Sequence, residues 1–186
     1  MDITIRALSS ETLEDFLTFF DGPAFSDNAD WSSCYCFFPY HDPTTGDWEA
    51  RSAAENRRSM IDGVSAGHIS GLLAYHDDVV VGWCNANRRN AYPTLRNLPG
   101  NGDEMGATPC FVVDPQHRNK GIAGKLLDAA CRTATDNGLV SMGAAPHRNA
   151  TSAQMNSRGT YRMFDAAGYR VIAELPDGTT IMEKTL

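Results

Sequence analysis

Several things are scarce in this sequence of 186 residues, and each scarcity excludes something. No apolar run approaches the ~20 residues that a membrane-crossing helix needs, so a membrane is not an expected partner. There are only five cysteines (Cys34, Cys36, Cys84, Cys110 and Cys131), an odd count in a chain of this size. A disulfide framework is therefore not expected, and reduced thiols are. The one close pair, Cys34-Tyr35-Cys36, is a C-x-C with no second pair to complete a zinc site, so no metal is expected. Basic residues are outnumbered, 16 Lys and Arg against 23 Asp and Glu, for a formal charge of −7. A nucleic-acid partner, whose phosphates demand a basic surface, is not expected on that balance. A cationic amine is compatible with it, since an acidic field attracts cations. The start, Met1-Asp2-Ile3-Thr4, shows neither the basic residues nor the apolar stretch of a secretory signal, and the cytoplasm is the expected address.

What is present reads as one ordinary globular unit spanning 1–186: 42% hydrophobic, 21% charged, with no repeats and no low-complexity tract. Residues 3–7 alternate like a short strand. Ser9 and Ser10 offer an N-cap to a helix whose buried face is Leu13, Phe16, Leu17 and Phe20, at the i, i+3, i+4, i+7 spacing. Residues 21–46, rich in turn formers and aromatics, read as a long loop of the kind that is usually functional or mobile. A second helix is expected over about 47–64, then strands over 69–75 and 79–86 joined by His76-Asp77-Asp78 as a hairpin. An irregular stretch with Tyr92, Pro93 and Pro99 leads to a strand over 108–113, stopped by Asp114-Pro115. A helix over about 121–137 follows, with Gly138 as its C-cap, then a strand over 139–144, a loop, and a helix over about 158–167 ended by Gly168. Strands over 169–175 and 180–184 close the chain around Pro176-Asp177-Gly178. The order is βααβββαβαββ, a mixed α/β (α+β) domain with a central sheet covered by helices.

The informative segment runs from Val112 through Arg118-Asn119-Lys120-Gly121-Ile122-Ala123-Gly124 to Leu127. It is a strand, a short basic turn, and glycines opening an amphipathic helix. The first amides of a helix have no intrahelical acceptor, and the helix dipole places partial positive charge there. Small residues at 121, 123 and 124 let an anion approach that backbone, and Arg118, Lys120 and Lys125 add charge, so the segment is a candidate phosphate cradle. The dinucleotide fingerprint G-x-G-x-x-G and the P-loop G-K-[ST] are both absent.

This segment resembles the acetyl-CoA motif of the GNAT superfamily, Arg/Gln-x-x-Gly-x-Gly/Ala, after an apolar strand ending in Val-Asp-Pro. Phe164-Asp165-Ala166-Ala167-Gly168-Tyr169 is similar to the family's second motif, and the element order is similar to the family's over 1–186. Trp31…Cys34-Tyr35-Cys36, Gly82-Trp83 and Met163-Phe164 resemble a bacterial subgroup of unsettled substrate. The resemblance implies a sheet of about seven strands flanked by helices. It also implies an N-acetyltransferase with acetyl-CoA as co-substrate and direct attack of an amine on the thioester. Pantetheine would pair with Phe111, Val112 and Val113, and an amide near Phe111 would polarise the thioester carbonyl. The diphosphate would take the amides of Asn119, Lys120, Gly121, Ile122, Ala123 and Gly124, with Arg118 also binding the cofactor. Ser157 falls near a cofactor-contacting asparagine of the family, with Asn156 beside it.

Two departures from the family pattern stand out. The carboxylate that some members carry early in the fourth strand is missing near Ala107 and Thr108, and the tyrosine that often serves as acid aligns with Phe164. Tyr161, one helical turn earlier, is the candidate replacement. No base is assigned; Asp103, Glu104, His41 and His147 are loop candidates. Cys110 reads as a core thiol, because a nucleophilic cysteine needs an adjacent base. Trp83, Asn85 and Tyr35 are the candidate acceptor-pocket residues, with Trp31 and Tyr92 as further aromatics. The acceptor expected is a small-molecule amine. A protein lysine or N-terminal acetyltransferase, or a module that senses acetyl-CoA without turnover, are the alternatives, and a homodimer is compatible with each.

Overall fold

A computed structural model describes residues 1–100 and 103–186, with the side chains of residues 153 and 154 left aside. The strands are β1 (Thr4–Ala7), β2 (Gly71–His76), β3 (Val79–Arg88), β4 (Met105–Val113), β5 (Ser141–Ala144), β6 (Arg170–Glu174) and β7 (Thr180–Thr185). The helices are α1 (Leu13–Asp21), α2 (Ala53–Ser65), α3 (Ile122–Asp136), the one-turn α4 (Ala153–Asn156) and α5 (Tyr161–Ala166). One sheet holds all seven strands in the order β1-β2-β3-β4-β5-β7-β6. Every neighbouring pair is antiparallel except β4 with β5.

Each face of the sheet buries its own apolar cluster, because strand side chains alternate between faces. On one face Leu73, Tyr75, Trp83 and Val112 meet Phe16, Leu17 and Phe20 of α1 and Met60 and Val64 of α2. Trp83 is the centre of that side: fully buried, edge-on to Phe16 at 5.0 Å, and lying directly over Gly71, where any side chain would collide with its indole. On the other face Leu72, Ala74, Cys84 and Phe111 meet the stripe Ile122, Leu126, Leu127, Ala130, Cys131 and Ala134 of α3. That is the spacing read from the sequence. The layers are helix, sheet, helix.

Local chemistry moves several boundaries. Thr12, not Ser9 or Ser10, caps α1, and its hydroxyl turns back to the Ala7 carbonyl at 2.9 Å. Asp47 caps only a single 3-10 turn (Trp48–Ala50). The α2 helix starts five residues later, where Ser52 and Glu55 form a reciprocal capping box. The 21–46 segment is a chain of 3-10 turns rather than open loop. The hairpin between β2 and β3 turns on Asp77 and Asp78, both left-handed (φ 49° and 58°), as a two-residue turn of matching twist requires.

The strand that matters most, β4, begins three residues before the expected start and contains Pro109. Cα partners run Asn85 with Cys110 but Asn87 with Ala107, so β4 takes three steps where β3 takes two. The extra residue is a bulge at Thr108-Pro109. A proline, with no N–H to give a ladder, is tolerated inside a sheet at such a place. The parallel pairing of β4 with β5 covers only Met105 with Ser141, Gly106 with Met142 and Ala107 with Gly143. From Thr108 onward β4 has no strand on that side, and the sheet is split there.

Candidate active site

The α3 helix opens at the C-terminal end of β4, beside the split. Gly121 is its N-cap residue, left-handed at φ 79°, and Asn119 is left-handed at φ 60°. The first bond of the helix runs from the Lys125 N–H to the Gly121 carbonyl at 3.1 Å. The N–H groups of residues 121–124 consequently have no main-chain acceptor within the helix. A Cβ built on Gly121 or on Gly124 would meet no atom within 4 Å. Unpaired donors behind open space form a cradle for an anion, and the dipole of a 15-residue helix reinforces it.

The basic side chains contribute less than the sequence suggests. Arg118 donates from Nε to the Val113 carbonyl at 3.1 Å and from Nη1 and Nη2 to the Asp27 carboxylate at 2.5 and 3.1 Å. That hydrogen-bonded guanidinium holds the Asp27 carboxyl below its usual range. Lys120 turns back to the Gln116 carbonyl at 2.8 Å. The cradle is therefore main chain first, with Arg118 latched to the 21–46 segment. Asp114 supports the turn from below, accepting from the Gln116 N–H at 3.0 Å and lying 2.8 Å from the His117 ring.

Further along the split, the Phe111 N–H donates to the carbonyl of Ser157 at 2.7 Å. The amide expected to polarise a thioester is thus held by the protein itself. Phe111 also stands edge-on to Phe164, at 6.1 Å, and Phe164 is fully buried. Tyr161, at the first turn of α5, is half-buried with the Arg148 guanidinium 4.5 Å from its ring centre, and Arg148 pairs with Glu174 at 2.6 Å.

Where β4 and β5 part, the Thr108-Pro109 bulge, Ala144, Ala145, Ile172 and Ile181 line an apolar cleft. Among the described residues Arg89 and Thr108 bring its only polar side chains, and the sequence reading missed both. Pro109 in a central strand was the one available signal of the bulge; nothing in the pattern pointed to Arg89.

The three residues expected to line the acceptor pocket lie elsewhere. Trp83 is core. Tyr35 is buried against Phe20, at 6.1 Å, with its hydroxyl on Asp21 at 2.6 Å. Asn85 is fully buried in a hydrogen-bond network: Oδ1 accepts from Tyr40 at 2.9 Å and Tyr92 at 2.8 Å, and Nδ2 donates to the Cys36 carbonyl at 3.1 Å. Burial pushes the Tyr40 hydroxyl up to about 12, so it stays protonated. These residues fasten the 36–41 segment and residue 92 to β3; they do not face the cleft.

Of the candidate bases, His41 is buried with Nε2 3.0 Å from the Gly46 carbonyl, and His147 lies in an isolated bridge with Thr179. Asp103 and Glu104 are on the chain entering β4, and none of the four lines the cleft. All five thiols are free. Burial raises Cys34 to about 11 and Cys36 well above the usual thiol value, so both are protonated at neutral pH. No group of three or more His, Cys, Asp or Glu side chains is arranged to hold a metal among the described residues, and no helix is long and apolar enough to cross a membrane.

Comparison with known proteins places this geometry. A model described as the acetyltransferase (GNAT) family matches residues 25–164. No curated protein matches the sequence. Among solved structures, the chain is similar to a PaiA N-acetyltransferase from Thermoplasma acidophilum in complex with coenzyme A. The TM-score is 0.61 and the identity 21%, over 100% of both chains. A GCN5-related N-acetyltransferase from Kribbella flavida gives a TM-score of 0.61 at 16% identity, over 99% of this chain and 98% of that one. The ribosomal-protein-S18-alanine N-acetyltransferase from Escherichia coli gives 0.55 at 12%, over 99% and 94%. At these identities the likeness is one of fold.

Proposed function

The chain belongs to the acetyltransferase (GNAT) family, and from that premise we propose that it moves an acetyl group from acetyl-CoA to the primary amine of a small molecule. The observation that carries the reading is the set of unpaired N–H groups of residues 121–124 at the opening of α3, where a Cβ on Gly121 or Gly124 would meet nothing within 4 Å. A diphosphate supplies the acceptors those donors lack, and charge-assisted bonds of this kind are stronger than neutral ones.

Acetyl-CoA supplies an activated acyl group as a thioester. The protein's part is binding, orientation and proton management. Residues 119–124 hold the phosphates. The edge of β4 at Phe111, Val112 and Val113, which faces the split, takes an amide-bearing arm as it would take a strand once the Phe111 N–H leaves the Ser157 carbonyl and the Val113 carbonyl leaves Arg118. Phe111 N–H, released from the Ser157 carbonyl, is the donor for charge developing on an acyl oxygen. Ser157 therefore acts through its main chain. Phe164 has no proton to give, so the hydroxyl of Tyr161 is the acid available from α5. The amine must arrive neutral to attack, and an ordinary alkylamine near pKa ~10 is mostly protonated at pH 7.

A small acceptor is preferred to a peptide because the cleft at the bulge is bordered on several sides, by β4, β5, β6, β7 and the 89–99 segment. The occupied Phe111 amide favours a second reading, a module that binds acetyl-CoA without transfer. Thiol release from acetyl-CoA against a panel of amines separates the two. Transfer to a small amine supports the enzyme; tight binding without thiol release on any amine supports the sensor; no binding at all defeats both.

A further inference from the structure

Two thiols from distant parts of the chain meet on the face of the sheet that α1 and α2 cover. Asn85 of β3 is the reference point. Its Nδ2 donates to the Cys36 carbonyl at 3.1 Å, and its Cα partner across on β4 is Cys110. Asn85 comes two residues after Trp83, and Cys110 two before Val112. Both side chains therefore stand on the face that Trp83 and Val112 occupy. Cys110 packs against the apolar cluster that contains Cys36. The two sulfurs are close enough to act on one another, for after burial itself the Cys110 thiol is the strongest influence on Cys36.

The Cys36 side is firmly held. Tyr35 and Cys36 are consecutive residues in the left-handed region, at φ 48° and 56°, and neither is glycine. Such a pair persists only where its surroundings fix it. Here the Tyr35 hydroxyl donates to Asp21 at 2.6 Å, and the Cys36 carbonyl accepts from Asn85. Cys36 is 2% exposed, and burial keeps it a thiol at neutral pH. Cys110 is only partly buried. The pair thus has one sulfur within reach of a small oxidant and another set behind it. Cys34, also partly buried, acts on Cys110 as well and is the competing thiol.

We propose that Cys36 and Cys110 form a reversible disulfide that clamps the 21–46 segment to β4. With hydrogen peroxide as the oxidant, the Cys110 sulfur takes one oxygen to become a sulfenic acid, and one water leaves. The Cys36 sulfur then displaces that hydroxyl group and gives up its proton, and a second water leaves. The two thiols together lose two electrons, which the peroxide takes. Closure draws the Cβ atoms to about 3.8 Å. The bond closes a loop of about 75 residues and so restricts the unfolded chain strongly. Because Cys36 attacks from a scarce thiolate, closure should take minutes to hours. The clamp joins the segment that holds Arg118 through Asp27 to the strand that carries Phe111.

The test treats the whole folded chain with dilute hydrogen peroxide and alkylates the thiols that remain. Mass spectrometry of the digest then locates any link, beside a thermal melt of the intact protein. The parent should yield a linked pair of peptides holding Cys36 and Cys110, with Cys34 alkylated. It should melt roughly 5–15 °C above the reduced protein. Dithiothreitol should remove the link and return the melting point. Cys34→Ser should behave as the parent does. Cys36→Ser and Cys110→Ser should show neither the link nor the upward shift. If the buried Cys36→Ser fails to fold, the more exposed Cys110→Ser still decides. A folded parent without the linked pair after prolonged oxidation would overturn the proposal. So would a link through Cys34 or between two chains, or a linked parent that melts no higher than the reduced one.

Discussion

Replacing Gly121 by alanine separates a glycine kept for its ligand from one kept for its backbone. At φ 79° an alanine there costs roughly 1–2 kcal/mol. The new methyl meets nothing in the protein, since no atom lies within 4 Å, so no steric cost adds to that. For a chain of this size the melting temperature should fall by roughly 2–8 °C, and the fold should survive. Gly138, at the other end of α3, is the matched control: φ 73°, nothing within 4 Å of its Cβ, and far from the cradle along a 15-residue helix. Gly138→Ala should cost the same stability. The two variants should part company on acetyl-CoA. In Gly121→Ala the methyl stands between the phosphates and the amides of residues 119–124. Losing one charge-assisted bond of roughly 1.5–3 kcal/mol weakens binding roughly 10- to 150-fold, whereas Gly138→Ala should bind as the parent does. Titration calorimetry measures the affinity, and a circular-dichroism melt checks that both variants are folded. Equal affinities for the two variants would refute the cradle, whatever their melting points.

Asp27→Asn frees the Arg118 guanidinium, so acetyl-CoA should bind a few-fold tighter at low salt, with the gain shrinking at high salt as exposed charges are screened. The depressed carboxyl of Asp27 stays ionised above its ordinary 3.8, and the latch is lost only as pH falls through its still lower folded value. The gain should therefore be flat between about pH 5 and 8, and calorimetry at several pH values checks both points. Tyr161→Phe should lower kcat while leaving acetyl-CoA affinity unchanged if that hydroxyl protonates the departing thiolate; an unaltered kcat in the thiol-release assay ends the role. Trp83→Ala should cost about 3–5 kcal/mol in urea unfolding, as a fully buried indole does.

Elements whose signal is periodic were legible from sequence. The buried stripes of α1 and α3 lie where the apolar spacing put them, and the order of elements along the chain was read from their alternation, though not the place of β7 between β5 and β6. Boundaries governed by local bonds were less so. The Ser52–Glu55 capping box is a readable signature, but Asp47 offered an earlier plausible start and serves only a 3-10 turn. The proposed cradle could be marked from sequence because its donors are contiguous main chain. The acceptor pocket could not be placed in the same way, because its expected residues are far apart in the chain. Trp83 and Asn85 have the chemistry of ligand contacts, but the packing of α1 and the Tyr40–Asn85–Tyr92 network take them up. Arg89 and Thr108 become neighbours of one cleft only when the bulge in β4 and the short β4–β5 pairing bring the strands there.

The bond from Phe111 N–H to the Ser157 carbonyl has a kinetic meaning. While it stands, no water or metabolite can use that donor, so on the acetyl-transfer reading proposed above a thioester carbonyl would have to displace the Ser157 carbonyl from it. Rearrangement of the segment between β5 and α5 would then precede chemistry on that reading, and a turnover that no longer rises with the reactivity of the amine would be its signature.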